Sequence, residues 1–151
     1  MRELLAKLEA AAEGSRELDC LIAVNPNTPM IGVVKGARVD MLLDDSVFGI
    51  SGVEYLTEEL SSYLPKTNAD FLGVPHYTTV FEDALLLVPI AKWSQDKYPG
   101  SMAWQITYNR DSRSYSVSVR EFITSFDRDF FATHADKYLA FCIAALKARF
   151  A

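Results

Sequence analysis

Histidine and cysteine, the side chains that most often bind metals or act as nucleophiles and bases near neutral pH, are scarce here: two of each among 151 residues. Two histidines are too few for a histidine-built metal cluster, and Cys20 and Cys142 lack the Cys-x-x-Cys spacing of a zinc site, so no metal is expected. Both cysteines fall in apolar helical patterns, where a thiol behaves as a small hydrophobe with a raised pKa, which argues against a cysteine nucleophile. A disulfide between them is not expected in a cytoplasmic setting. Gly32, Gly36, Gly49 and Gly52 form neither a Gly-x-Gly-x-x-Gly nor a Walker pattern; they read as turns, and no phosphate cradle or cofactor is indicated.

Long apolar runs are missing too. None approaches the ~20 residues a membrane helix needs, and Met1 to Leu8 carries charges at helical spacing instead of the apolar core of a signal peptide. We expect a soluble cytoplasmic protein with no membrane partner. Fifteen Lys and Arg against twenty Asp and Glu give a net charge of −5, and the basic residues are scattered. Affinity for a phosphate backbone rests on clustered cations, so nucleic acid is not an expected partner.

What is present is an ordinary globular composition, 50% hydrophobic and 23% charged. A chain of this length buries roughly 70% of its unfolded surface, which suits one domain with one core. Leu4, Leu5, Leu8, Ala11 and Ala12 repeat at helical spacing until Gly14, and Ser15 opens a second helix over Arg16 to about Val24, with Leu18, Leu21 and Ile22 inward. Asn25, Pro26 and Pro29 force the chain out of helix. Two short strands around a Gly36 turn suit Met30 to Leu43. Ser51 and Glu54 have the spacing of a capping box for a helix over about 53–64, and Thr79 and Glu82 repeat that spacing before a short helix ending ahead of Pro89, after a loop with Asn68, Gly73 and Pro75. Alternation at Ala103 to Tyr108 and Tyr115 to Arg120, joined by polar Asn109 to Ser114, predicts a β-hairpin. A closing helix is predicted from Thr133, with Asp136 as its capping partner and His134 just inside it. The fold class is therefore α+β: a small antiparallel sheet with helices on one or both faces, a single domain over residues 1–151.

Three stretches carry a resemblance. Gly14 to Ala23 (GSRELDCLIA), Tyr77 to Pro89 (YTTVFEDALLLVP) and Phe141 to Arg149 (FCIAALKAR) are similar to the phage αβα-sandwich domain family, small proteins encoded by bacteriophages and prophages. The likeness leaves residues 25–73 as a family-atypical segment. It implies a phage or prophage origin, the cytoplasm of a bacterial host and a sandwich fold, and it carries no catalytic signature. Thr78, Thr79 and Glu82 are explained by capping, and the Ala-Leu-Lys-Ala-Arg ending by helix propensity.

Few residues are left for chemistry. His76, beside Pro75 and Tyr77, is the candidate general base. His134 and Cys142 cannot pair, because eight residues of helix rise about 12 Å. Asp44 with Asp45, Glu58 with Glu59, and Asp127 with Asp129 match no carboxylate arrangement for catalysis or cation binding and read as a solvated face. Lys92, Trp93, Lys97, Tyr98, Trp104, Arg110 and Arg113 mix aromatic rings with cations around the hairpin, the chemistry that a stacked anionic ligand or a protein contact uses. The expected function is a non-enzymatic phage accessory protein, an anti-defence protein for example, that binds a host protein or a small ligand such as a nucleotide, with homo-oligomerisation compatible with it. Trp93, Tyr98, Trp104, Arg110, Arg113 and His76 are its contact candidates. The alternatives are a small hydrolase or transferase using His76 with a carboxylate, and a virion assembly or structural factor.

Overall fold

A computed structural model describes residues 1–28, 34–44, 66–89, 101–123 and 126–151. Helix α1 (Arg2–Ala10) buries Leu4 and Leu8 and carries a Glu3–Lys7 pair at 3.4 Å. It ends in extended backbone at Ala11, short of the Gly14 expected to stop it. Helix α2 (Arg16–Val24) begins where expected, with the Ser15 side chain accepting from the Leu18 amide. Leu18, Ile22 and Ala23 face inward, and so do Cys20 and the charged Asp19.

Gly36 takes a left-handed turn (φ +75°), and then the prediction fails. Val39–Leu43 is a short helix, α3, where a strand was expected. Val39, Leu42 and Leu43 all pack on the core, a spacing of three and four residues that a helix puts on one side and a strand would split. A further short helix, α4 (Asn68–Phe71), capped by the Thr67 side chain, replaces a predicted loop. Helix α5 (Phe81–Leu85) has Val80 at its N-cap and no side-chain cap, so the Thr79/Glu82 box is not formed. The first of the two expected strands and the helix expected over 53–64 lie outside the described residues.

The predicted hairpin is β1 (Ser101–Asn109) and β2 (Ser114–Ile123). An unpredicted β3 (Phe126–His134) completes an antiparallel sheet in the order β1-β2-β3. Thr133 therefore lies in a strand, and Asp136 is the N-cap of the last helix, α6 (Lys137–Phe150), accepting from the Tyr138 and Leu139 amides. The register aligns Trp104, Val119 and Phe130, and likewise Ile106, Val117 and Ala132, on one face. Helix α6 lies across β2 and β3 there and also packs against α1 and α5. It is apolar all round because it is central: Leu139 through Leu146 are all buried, and its alanines let neighbours approach closely. Each fully buried large apolar side chain in that layer stabilises by roughly 1.5–3 kcal/mol. Phe141 ties the layers together, meeting Phe81 and Trp104 edge-on at 5.0 and 5.7 Å. The fold class is the expected one, with the described helices on one sheet face. None of these helices is long and apolar enough to cross a membrane.

Candidate functional site

The first turn of α2 projects Arg16 and Asp19, three residues apart, toward the segment between α4 and α5. Arg16 donates to Asp70 Oδ1 (3.0 Å), the Val74 carbonyl (2.7 Å) and the Pro75 carbonyl (3.0 Å), and its Nη1 stands 3.5 Å from Asp19 Oδ2. Asp19 Oδ1 accepts from the Thr78 amide and hydroxyl, both at 2.8 Å. The Thr78 hydroxyl oxygen accepts in turn from the Ser15 amide at 3.0 Å. Burial pushes the Asp19 carboxyl above its ordinary value, against the two Thr78 hydrogen bonds and the Arg16 charge. Burial acts upward on Asp70 as well, but the Arg16 charge and hydrogen bond outweigh it and hold that carboxyl below its ordinary value.

His76 stands at the mouth of this network, half exposed, with Nδ1 3.8 Å from Asp19 Oδ2 and Nε2 3.9 Å from Asp70 Oδ1. The fold thus brings the candidate base to carboxylates, at distances longer than a hydrogen bond. Both carboxylates are already engaged by Arg16. The nearby Thr78 and Ser15 hydroxyls serve the backbone and Asp19. Burial raises the Cys20 thiol to about 11 and the Cys142 thiol as well, and Cys142 Sγ donates to the Tyr77 carbonyl. Both stay protonated at neutral pH.

The second histidine is structural. His134 closes β3, outside the helix in which it was expected to lie just inside the start. Its Nε2 donates to the Ala11 carbonyl (2.8 Å) and its Nδ1 accepts from the Asp136 amide (2.9 Å). A carbonyl can only accept and an amide N–H only donate, so the ring is neutral with its proton on Nε2. It fastens the end of α1 to the entry of α6.

The aromatic and basic set is divided. Trp104 lies on the inner sheet face against Phe81 and Phe141, and is 45% exposed. Arg110 and Arg113 stand at the hairpin tip, where Asn109 Oδ1 accepts from the Asp111 and Ser112 amides. Trp93 and Tyr98 lie outside the described residues, as do Lys92 and Lys97. Arg113 adopts a left-handed φ of 49°, which costs a residue with a Cβ about 1 kcal/mol. Arg113→Gly is accordingly expected to raise stability by about 0.5–1 kcal/mol, read as a higher urea midpoint; an unchanged or lower midpoint would mean that Arg113 makes a compensating contact in the fold.

On the outer sheet face the register sets Gln105, Ser118 and Phe131 in one row and Thr107, Ser116 and Thr133 in the next. Arg120 and Asp129 pair on that face at 2.6 and 2.9 Å, which holds Asp129 below the usual carboxylate range. No described helix covers these rows, and Phe131 is 63% exposed. Sequence reasoning missed Phe131, because β3 was not recognised. It also missed Asp19, although a charge three and four residues before Ile22 and Ala23 sits on the apolar side of α2, a visible signal. No group of three or more His, Cys, Asp or Glu among the described residues is placed to hold a metal ion. No family model, curated protein or solved structure matches the chain.

Proposed function

We propose that this protein is a non-enzymatic binding protein that engages another protein through the open face of its sheet and the adjoining hairpin tip. The observation that supports this most is the contrast between two regions. Arg16, Asp19 and Asp70 of the α2 junction are occupied in holding the chain together, whereas Phe131 projects from an open face of otherwise mostly polar side chains, with Arg110 and Arg113 at the hairpin tip. A small molecule wants a concave site; an open sheet face with one exposed aromatic anchor suits a protein surface. A phage or prophage origin, and with it a role against a host defence protein, rests on the three resembling stretches.

Affinity capture from bacterial lysate, with wild type beside Phe131→Glu and Arg110→Ala/Arg113→Ala, tests the reading. Phe131→Glu, on an exposed position, is expected to keep the wild-type melting temperature and to weaken capture about 30-fold, the ~2 kcal/mol of an aromatic anchor. Capture undiminished by both variants overturns it. The rival reading, general-base chemistry at His76, is favoured by the two carboxylates beside that ring. It predicts a hydrolytic activity that His76→Ala abolishes and Phe131→Glu leaves intact.

A further inference from the structure

The two edges of the sheet are built differently. β3 carries Asp127, Arg128 and Asp129, and its Phe131 carbonyl accepts a hydrogen bond from Lys147 Nζ. Charged residues and a covering lysine are devices by which native sheets keep an edge from pairing. β1 has none of them: its nine residues include no charge, no proline and no glycine, and no described residue hydrogen-bonds to its outer edge. Because α6 lies over β2 and β3, the inner-face side chains of β1 keep much of their exposure, 45% at Trp104 and 49% at Tyr108.

The order of residues in β1 is symmetric in character about Gln105. Trp104 and Ile106 on either side are large and apolar, Ala103 and Thr107 small, Met102 and Tyr108 large again, and Ser101 and Asn109 small and polar. Such a strand is its own antiparallel complement. We propose that a second copy of this chain pairs antiparallel with β1 about Gln105, joining two three-stranded sheets into one of six strands. On the inner face Trp104 then meets Ile106 of the second copy, an aromatic and β-branched cross-strand pair. On the outer face Gln105 meets its own counterpart. A net charge of −5 opposes association of copies, and β1 is a segment where pairing sets no charge against a like charge. The seam is about 30 Å long, nine residues at ~3.3 Å each, the small end for a specific interface, so micromolar association is expected. This inference is independent of the binding role proposed for Phe131.

Sedimentation velocity of the full chain over a concentration series is expected to show a monomer–dimer equilibrium. Gln105→Lys, at an exposed outer-face position, is expected to weaken it about tenfold or more by placing two cations face to face at the symmetry axis. Gln105→Cys is expected to give a disulfide-linked dimer under mild oxidation, the two native thiols being buried. Thr107→Cys is not, since its counterpart then lies about 13 Å away, beyond disulfide reach. A monomer at every concentration overturns the proposal, including one that binds an unrelated strand-forming peptide along β1. So does cross-linking through Thr107→Cys in place of Gln105→Cys, or a dimer that Gln105→Lys leaves unchanged. Should Gln105→Lys fail to fold, the two cysteine variants decide alone.

Discussion

Gly14→Ala is expected to lower stability by about 3 kcal/mol, the top of the usual range for an added methyl group. A Cβ there would lie 2.0 Å from the Thr78 carbonyl oxygen and 2.7 Å from its carbon. The obstacle is backbone, and three hydrogen bonds fix it: the Ser15 amide to the Thr78 hydroxyl, and the Thr78 amide and hydroxyl to Asp19. Relieving the clash means parting the start of α2 from the Thr78 segment, which leaves a buried carboxylate short of donors. Gly14 has no left-handed backbone to protect, so the conformational effect of alanine alone would be a gain of about 0.4–1 kcal/mol. The contact decides the sign. Urea unfolding should show a lower midpoint with an unchanged slope; a loss below about 1 kcal/mol would mean that the Thr78 segment yields easily.

The second large effect is at Asp19. Asp19→Ala removes the acceptor of the Thr78 amide and hydroxyl and the carboxylate beside Arg16, for an expected loss of about 3 kcal/mol. Asp19→Asn keeps a carbonyl oxygen for the Thr78 donors and is expected to lose about 1 kcal/mol, with a pH dependence that identifies the cause. Burial raises the folded-state pKa of Asp19 above its ordinary 3.8. A raised carboxyl contributes stability fully below that ordinary value and loses it as pH rises through the folded value. The gap between wild type and Asp19→Asn should therefore narrow as pH climbs from about 3.8 upward. Asp70, held low, behaves oppositely: its contribution is present above its ordinary value and is lost as pH falls through the lowered one. The gap between wild type and Asp70→Asn should narrow in acid. Urea midpoints over a pH series read both trends, and a pH-independent gap at position 19 would remove the argument that burial sets that group.

Local signals carried well where local chemistry decides. Ser15 caps α2 because its hydroxyl reaches an amide three residues on, and the hairpin alternates because each strand sees the core on one side only. β3 was hidden since Asp127, Arg128 and Asp129 break its apolar alternation, and its partners stand on β2: Arg120 takes Asp129 and Glu121 takes Arg128. The capping reading of Thr78 failed for the same reason, its partners lying 59 and 63 residues away. Of the candidate contacts, Arg110 and Arg113 were legible as exposed cations in a polar turn, whereas the open face depends on which strand lies third and no single segment encodes it.

The central position of α6 has a consequence for how the chain comes to be folded. It follows every other described element in the sequence, yet the inner sheet face, α1 and α5 all pack against it. During synthesis the hairpin and the N-terminal helices emerge with their apolar surfaces unmatched, and they stay so until Lys137 to Phe150 arrives. The contacts of α6 with β3 and β2 join segments close along the chain and can form as soon as it emerges, whereas those with α1 and α5 close longer loops and come last. Until then the apolar faces that these described elements turn toward α6 lack their partner, the kind of surface through which incompletely folded chains associate.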